Sequence, residues 1–283
     1  MNLYNEKPPF SLAYRNSRQA QMYFHSHHRH EIYYFHEGRC NFIIGDRIHV
    51  LQPGDLILMH GSTLHCSNPD PAVSYIRSTI HFDPAIAERL LPYPGMPNPL
   101  RPFMEKRNVC VRLDEVQRAE IESLLQRLHA FAHQKHPIAQ SRLWLAFLDL
   151  LYFLLPCSDR SAERTEQRQL SEKECHVQMV IDYLESNYSE ELHLDRLARE
   201  LYLSKHYLCK IFKEITGITI FNYLKSRRIN QAKLLFMLNR EWSVSAVSNE
   251  VGVKHLSHFS RLFKLMVGQT PEEYRRTVDT HSP

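Results

Sequence analysis

The feature that most constrains this chain is a helical design written twice between Leu194 and Arg276. In the first copy Leu194, Leu197, Ala198 and Leu201 recur at helical spacing and a break follows at Tyr202 to Ser204. Leu208, Ile211, Phe212 and Ile215 then line a second helix that Gly217 stops. In the second copy Val244, Val247, Ser248 and Val251 repeat the first helix, and Gly252 and Val253 make the break. Phe259, Leu262, Phe263 and Met266 repeat the second helix as far as Gly268. The later marks superpose at a constant offset: Leu208 on Phe259, Phe212 on Phe263, Lys213 on Lys264 and Gly217 on Gly268. Two helices joined by a tight turn form a helix-turn-helix, whose second helix buries one face and presents the other.

The presented faces match as well. Opposite Leu208 and Phe212 stand His206, Cys209, Lys210 and Lys213; opposite Phe259 and Phe263 stand Ser257, Ser260, Arg261 and Lys264. Short polar and cationic groups in this spacing suit a helix that lies in a major groove and reads base edges near its start. Between Ser204 and Lys264 eleven Lys and Arg face three Glu, a net +8, whereas the whole chain is only +4. The basic excess therefore sits where the repeat lies, as phosphate contact requires. The segment between the copies, Ile220 to Leu238, reads as one helix about 28 Å long. That is close to one turn of DNA, about 34 Å, so the two reading helices are expected in successive major grooves. Thr270, Pro271 and Glu273 open a last helix with a capping box and a proline in its first turn.

These residues resemble the AraC-type transcription regulators. The resemblance is carried by Leu203-Ser204, Tyr207-Leu208, Ile211-Phe212-Lys213, Thr216-Gly217, Phe221, Tyr223-Leu224 and Arg228-Ile229. In the second half it is carried by Val251-Gly252, Phe259, Arg261, Phe263-Lys264, Gly268, Thr270-Pro271 and Tyr274-Arg275. It covers about the last 100 residues and implies base reading by His206, Cys209 and Lys210 in one copy and by Ser257, Ser260 and Arg261 in the other. Ser248, Val253 and Lys254-His255 depart from the family pattern.

Upstream the text changes. Glu31 to His36, Arg39 to Ile44, Arg47 to Gln52, Asp55 to His60 and Val73 to Phe82 are short runs rich in Ile, Val, Tyr and Phe. Glu37-Gly38, Gly45-Asp46, Pro53-Gly54 and Asn68-Pro69 separate them as turns, predicting a small antiparallel barrel or jelly roll. Residues 84 to 102 carry six prolines and are expected to form an ordered loop. Leu113 to Gln134 and Ile138 to Leu155 read as helices, the second apolar almost all round, which predicts burial between the barrel and a second subunit and hence a homodimer. The longest apolar run, Leu143 to Leu155, is too short to span a bilayer, and Met1 to Phe10 does not read as a signal peptide. Six cysteines without a C-x-x-C pair fit reduced thiols in a cytoplasmic protein. Ser158 to Gln169 reads as a linker, and Ser171-x-x-Glu174 as the capping box that opens the next domain.

The first half also holds His25-x-His27-x3-Glu31-x6-Gly38 and, after Pro53-Gly54, His65. These match the two cupin motifs, with His60 and Ser62 in place of the second motif's usual proline and glycine. The resemblance is to the cupin-like sensor domain common at the front of AraC-type regulators. In metal cupins the four matching positions bind the ion, and two imidazoles or more with a carboxylate suit iron, manganese, zinc or nickel. Three readings stay open for His25, His27, Glu31 and His65: a pocket that hydrogen-bonds a polar effector without metal, a divalent metal site, and histidines satisfied on the outer surface or by backbone. His28, His30 and His36 read as solvated or strand-edge residues.

The expectation is thus an α+β two-domain chain. Residues 1–157 form a cupin-like effector-binding and dimerisation domain, 158–170 a linker, and 171–283 an all-α double helix-turn-helix. Its expected role is a cytoplasmic regulator, not an enzyme, that binds double-stranded DNA and responds to a small effector; the alternative is a metal-dependent cupin sensor or enzyme fused to a DNA-binding module. The resemblance favours an activator that works with RNA polymerase and a sugar or sugar derivative as the effector.

Overall fold

The computed structural model describes residues 10–18, 24–90, 95–159 and 170–280. The described residues of the first half hold eight strands, the last of them after two short helices: β1 Phe10–Asn16, β2 His30–Glu37, β3 Cys40–Ile44, β4 Arg47–Leu51, β5 Asp55–Met59, β6 His65–Pro69, β7 Ile76–Phe82 and β8 Asn108–Arg112. They form a five-stranded sheet, β1-β7-β2-β5-β8, and a three-stranded sheet, β4-β3-β6, antiparallel throughout. β6 was unexpected because His65 to Pro69 is short and polar. Its terminal proline, assigned above to a turn, is tolerated because β6 is an edge strand.

Alternation along the strands sorts the side chains into layers. Ile32 and Tyr34 of β2 and Leu56 and Leu58 of β5 point away from the small sheet, into a core with helices α3 (Glu115–Ala132) and α4 (Pro137–Asp159). Tyr33, Phe35, Ile57 and Met59 point the other way and meet Cys40, Phe42 and Ile44 of β3 between the sheets. Ile43 and Cys66 face out of the small sheet, and the helices of the C-terminal half cover them.

The proline-rich segment is not a simple loop. Pro84–Arg89 is helix α1 and Arg101–Glu105 helix α2, each with a proline in its first turn, where no backbone N–H is needed. Residues 91–94 of that segment lie outside the described residues. α4 is also longer than the apolar run implied: 23 residues, long and apolar enough by composition to cross a membrane. Here Leu143, Phe147, Leu150, Leu151 and Leu154 are buried against α3 and the large sheet. Its other side is open: Ile138 and Leu145 are exposed and Asp149 pairs with Arg127 of α3. Burial on all sides is therefore not what the protomer shows, because a single stripe supplies the packing. Residues 160–169 of the expected linker lie outside the described residues; Ser158 and Asp159 belong to α4, and Ser158 is buried.

The C-terminal helices follow the repeat closely. α5 is Glu172–Asn187, opened by the Ser171/Glu174 capping box. α6 Leu194–Glu200 and α7 Lys205–Thr216 make the first helix-turn-helix, α8 Ile220–Leu238 connects, and α9 Val244–Glu250 and α10 Leu256–Val267 make the second. α11 Pro271–Thr280 closes the chain with the expected Thr270/Glu273 box, 2.7 and 3.3 Å. α7 and α10 both end on a left-handed glycine, Gly217 and Gly268. Ser248, which replaces the usual small apolar residue, is buried but satisfied: its hydroxyl donates to the Val253 carbonyl at 2.7 Å, and the Val253 N–H returns to Ser248 at 2.9 Å.

The two motifs do not share one core. Val247, Phe259, Phe263 and Phe236 pack together around the second. Leu208, Ile211 and Phe212 of the first pack with α5 and, across the domain boundary, with Phe24, Ile43, Ile48, Leu64 and Cys66 of the barrel. Polar contacts pin this junction. Gln178 of α5 accepts from the Ile48 N–H at 3.0 Å and donates to the Asp46 carbonyl at 2.6 Å, filling the open edge of β4. Asn68 donates to the Glu214 and Ile215 carbonyls at the end of α7, 2.9 and 3.0 Å, where a helix leaves acceptors unpaired.

Candidate DNA interface and sensor site

On α7, Ser204 caps the helix start at 3.2 Å and leaves His206, Cys209, Lys210 and Lys213 exposed along one side, while Leu208, Ile211, Phe212 and Ile215 are buried on the other. On α10, Ser257, Arg261 and Lys264 are exposed and Ser260 half-buried, again opposite a buried Phe259, Leu262 and Phe263. All eight sequence-derived candidates thus occupy presented helix faces, and docking on the barrel leaves the α7 set open. The basic excess is only partly available to a partner. Lys205 pairs with Asp195 at 2.8 Å, Arg227 with Glu185 at 2.6 Å and Lys254 with Glu191 at 3.1 Å. Arg228 donates to the Tyr188 and Glu190 carbonyls, both at 2.6 Å. Those contacts, and Gly252 packed on the Ser189 backbone, hold the α5–α6 loop against the second motif and fix the two readers relative to each other.

The four cupin-motif residues converge inside one end of the two-sheet layer. Glu31 Oε2 lies 3.4 Å from His27 Nε2 and 3.3 Å from His65 Nε2, and the His25 ring stands 4.3 Å from that of His65, centroid to centroid. His25 and His65 are also bridged through their backbones, 3.0 and 3.1 Å. The four are therefore not spread over the outer surface, although backbone carbonyls do satisfy one nitrogen each of His27 and His65. A fifth residue joins them: His81 of β7, with Nε2 3.2 Å from the same oxygen. It is the cross-strand partner of Glu31, so strand register, not local motif, brings it in.

The protonation pattern is unusual. His27 Nδ1 meets the Arg29 carbonyl at 2.8 Å and His65 Nδ1 the Thr63 carbonyl at 2.9 Å; a carbonyl only accepts, so both Nδ1 atoms carry hydrogen. Each ring then faces the carboxylate oxygen through Nε2, which repels it as a lone pair when the ring is neutral and donates to it when the ring is protonated. His27 Nε2 and Glu31 Oε2 are buried without a hydrogen bond. Burial pushes the Glu31 carboxyl up, but the three facing imidazoles outweigh it and hold it well below the ordinary range. Burial lowers His27, whereas at His65 the Glu31 carboxylate overcomes burial and raises it. The cluster is short of positive charge, and a proton or a cation supplies it.

A metal ion fits this donor set. Imidazole Nε2 atoms whose opposite N–H groups are fixed on carbonyls are the usual second-shell arrangement of metal-bound histidine. Ligand atoms about 2.0–2.1 Å from a tetrahedral ion stand about 3.3 Å apart, and Glu31 Oε2 lies 3.2–3.4 Å from each of the three Nε2 atoms. His25, His27 and His65, and His27, Glu31 and His81, each bring ligand atoms within 4.8 Å of one another. Of the other histidines, His28 is exposed as expected, but His30 and His36 are not. His30 is buried flat against Phe103 and accepts from the Gly61 N–H at 3.3 Å; burial pushes its pKa down to about 4. The His36 side chain is buried between Glu122, 2.8 Å, and Ser78, 2.7 Å. All six cysteines are free thiols.

Two family models match the chain, an AraC-like ligand binding domain over residues 7–148 and a helix-turn-helix domain over residues 197–277. The chain belongs to the AraC family of transcription regulators. As an AraC-family regulator it binds DNA through its C-terminal helices and carries a ligand-binding domain in front of them. Among its relatives is the uncharacterized HTH-type transcriptional regulator YdiP of Escherichia coli (strain K12), 27% identical over 88% of this chain and 80% of YdiP. Another is the HTH-type transcriptional activator RhaR of Mannheimia succiniciproducens, 23% identical over 96% of this chain and 93% of RhaR. Among solved structures, apo ToxT from Vibrio cholerae aligns over 96% of this chain and 98% of its own, at 12% identity and a TM-score of 0.40.

Proposed function

We propose that this AraC-family regulator takes its signal at the cluster of His25, His27, Glu31, His65 and His81, and that the signal is a divalent transition-metal ion. The observation that carries the reading is the buried His27 Nε2 facing the buried Glu31 Oε2 at 3.4 Å, neither of them in a well-formed hydrogen bond. A bound ion supplies the missing positive charge. The chain's own residues do the rest: Arg29 and Thr63 carbonyls orient two rings, and β2 and β7 register brings Glu31 and His81 together. A sugar derivative is the second reading, favoured by the partial exposure of His27 and His81, through which hydroxyl donors reach the same lone pairs. DNA is read by His206, Cys209, Lys210 and Lys213 in one motif and by Ser257, Ser260, Arg261 and Lys264 in the other. Activation through RNA polymerase follows the family resemblance, and RhaR, a relative, is a transcriptional activator. The exposed Ile138 and Leu145 on α4 offer a homodimer surface, and the cytoplasm is the compartment in which this chemistry operates.

Thermal unfolding of the full chain tests the site. The isolated sensor is unsuitable because removing α5 and α7 uncovers Ile43, Ile48 and Cys66. Zinc at about 100 times its dissociation constant adds about 2.7 kcal/mol, a rise of several degrees, which a chelator reverses. A chelator-insensitive rise with a sugar supports the second reading; no response to either removes the cluster as the sensor.

A further inference from the structure

Ser26 stands between the two histidines of the His25-x-His27 segment, and its partners come from the DNA-binding half. Its hydroxyl donates to Asn230 Oδ1, and Lys233 Nζ reaches the Ser26 hydroxyl at 2.6 Å and its carbonyl at 3.1 Å. Asn230 also donates to the Ser62 carbonyl at 3.2 Å. It thereby spans both loops of the cluster, which are tied to each other by the His27 N–H on the Gly61 carbonyl at 2.9 Å. Asn230 and Lys233 lie on α8 at the seam of its two cores. Ile220 and Tyr223 belong to the core shared with the barrel, and Ile229, Ala232 and Phe236 to the core of the second motif. Whatever moves these two side chains alters how both readers are held.

The charge at this seam is unbalanced. Lys233 is half-buried, no carboxylate among the described residues pairs with it, and burial lowers its pKa to about 8. Its ammonium rests on two neutral oxygens beside the cluster, and positive charge on His65 and that on Lys233 oppose each other. Without an ion the cluster carries the Glu31 carboxylate, a tolerable neighbour for an ammonium. A divalent ion adds positive charge to the cluster, and like charges on the two sides of Ser26 in a partly desolvated site repel.

We propose that Lys233 is the residue through which the cluster acts on the DNA-binding domain: a cation bound by the histidines and Glu31 repels Lys233 from Ser26 and loosens α8 from the barrel. The inference rests on the metal reading of the site. Because coupling is reciprocal, docking of Lys233 weakens cation binding by the same factor by which the cation weakens docking. Lys233 is thus a positioning residue that reads charge, and removing its charge tightens the metal site although it provides no ligand. A purely structural role has the opposite sign, since damage to the junction loosens the loops that carry His25, His27 and His65.

The test is zinc titration of the full chain against a competing chromophoric chelator, together with amide hydrogen exchange with and without zinc, for the wild type, Lys233→Met and Lys233→Arg. In the wild type zinc slows exchange at residues 25–31 and 63–67 and speeds it in α8 from Leu224 to Phe236. Lys233→Met binds zinc about tenfold more tightly and its α8 exchange does not respond to zinc. Lys233→Arg, which keeps the charge, behaves as the wild type. Equal or weaker zinc binding by Lys233→Met, or slowed α8 exchange on zinc addition to the wild type, overturns the proposal while leaving the metal site standing. Absence of any slowing at residues 25–31 and 63–67 in all three proteins overturns the metal reading itself, and this inference with it.

Discussion

Replacing Gln178 by Met isolates the junction between sensor and first reader. The side-chain volume is nearly kept, so the loss is that of an amide rather than a cavity. Ile48 is buried and sits on the edge strand β4, and Gln178 is the acceptor for its N–H at 3.0 Å. Left unpaired in place, that N–H costs about 1–3 kcal/mol, and the lost bond to the exposed Asp46 carbonyl, which water can replace, about 0.5–1.5 kcal/mol. The sum is about 1.5–4.5 kcal/mol unless α5 lifts off and lets water reach Ile48. In that case the loss is capped at the free energy of docking itself, and the measured value becomes a reading of that quantity. Trp144 on α4 and Trp242 beside α9 are the only tryptophans in the chain and report on opposite ends of it. Urea unfolding followed through each, with the other changed to Phe, should show Gln178→Met shifting the midpoint of both transitions. A change under about 0.5 kcal/mol at both probes refutes the shared junction.

Two further substitutions and a pH profile probe the rest of the scaffold. Gly252→Ala places a Cβ 2.0 Å from the Ser189 carbonyl oxygen at φ +76, and should cost about 2–4 kcal/mol, whereas Gly268→Ala, at φ +88 but with nothing within 4 Å, should cost about 1 kcal/mol. Equal losses in denaturant unfolding contradict the close approach of the α5–α6 loop to the second motif. His30 is held neutral, with its pKa lowered by burial from 6.5 to about 4. The unfolded chain therefore binds the extra proton first, and stability is lost as pH falls from about 6.5 towards 4, by about 3 kcal/mol in all. His30→Leu should flatten that part of the stability profile, and an unchanged slope removes His30 as its source.

Much of this molecule is legible in its sequence wherever the signal is local. The two reading helices, their glycine stops and the full extent of α8 follow from a 3.6-residue period that tertiary contacts do not override. Three strands escape the same treatment because Phe10–Asn16, His65–Pro69 and Asn108–Arg112 are short or polar and gain their regularity from neighbours far along the chain. Distance in sequence also hides His81, which reaches Glu31 only through β2–β7 register. The proline-rich segment misleads because proline forbids helix interiors but suits helix starts. The shared core left one trace: β3 reads apolar on both faces, with Ile43 as well as Phe42 and Ile44 demanding cover. Reading that as a docking surface requires knowing that α7 offers a complementary face.

DNA reading by two equivalent helices is the central claim, and the most direct measurement is the affinity of the full chain for a duplex selected from random sequence, compared with a scrambled duplex. The same comparison is made for Arg261→Ala and His206→Ala. Each substitution should cost about 1–3 kcal/mol on the selected duplex, relax preference at a different position about one helical turn from the other, and leave the scrambled duplex nearly unaffected. Equal losses on both duplexes, or relaxed preference at one shared position, contradict base reading by the two motifs.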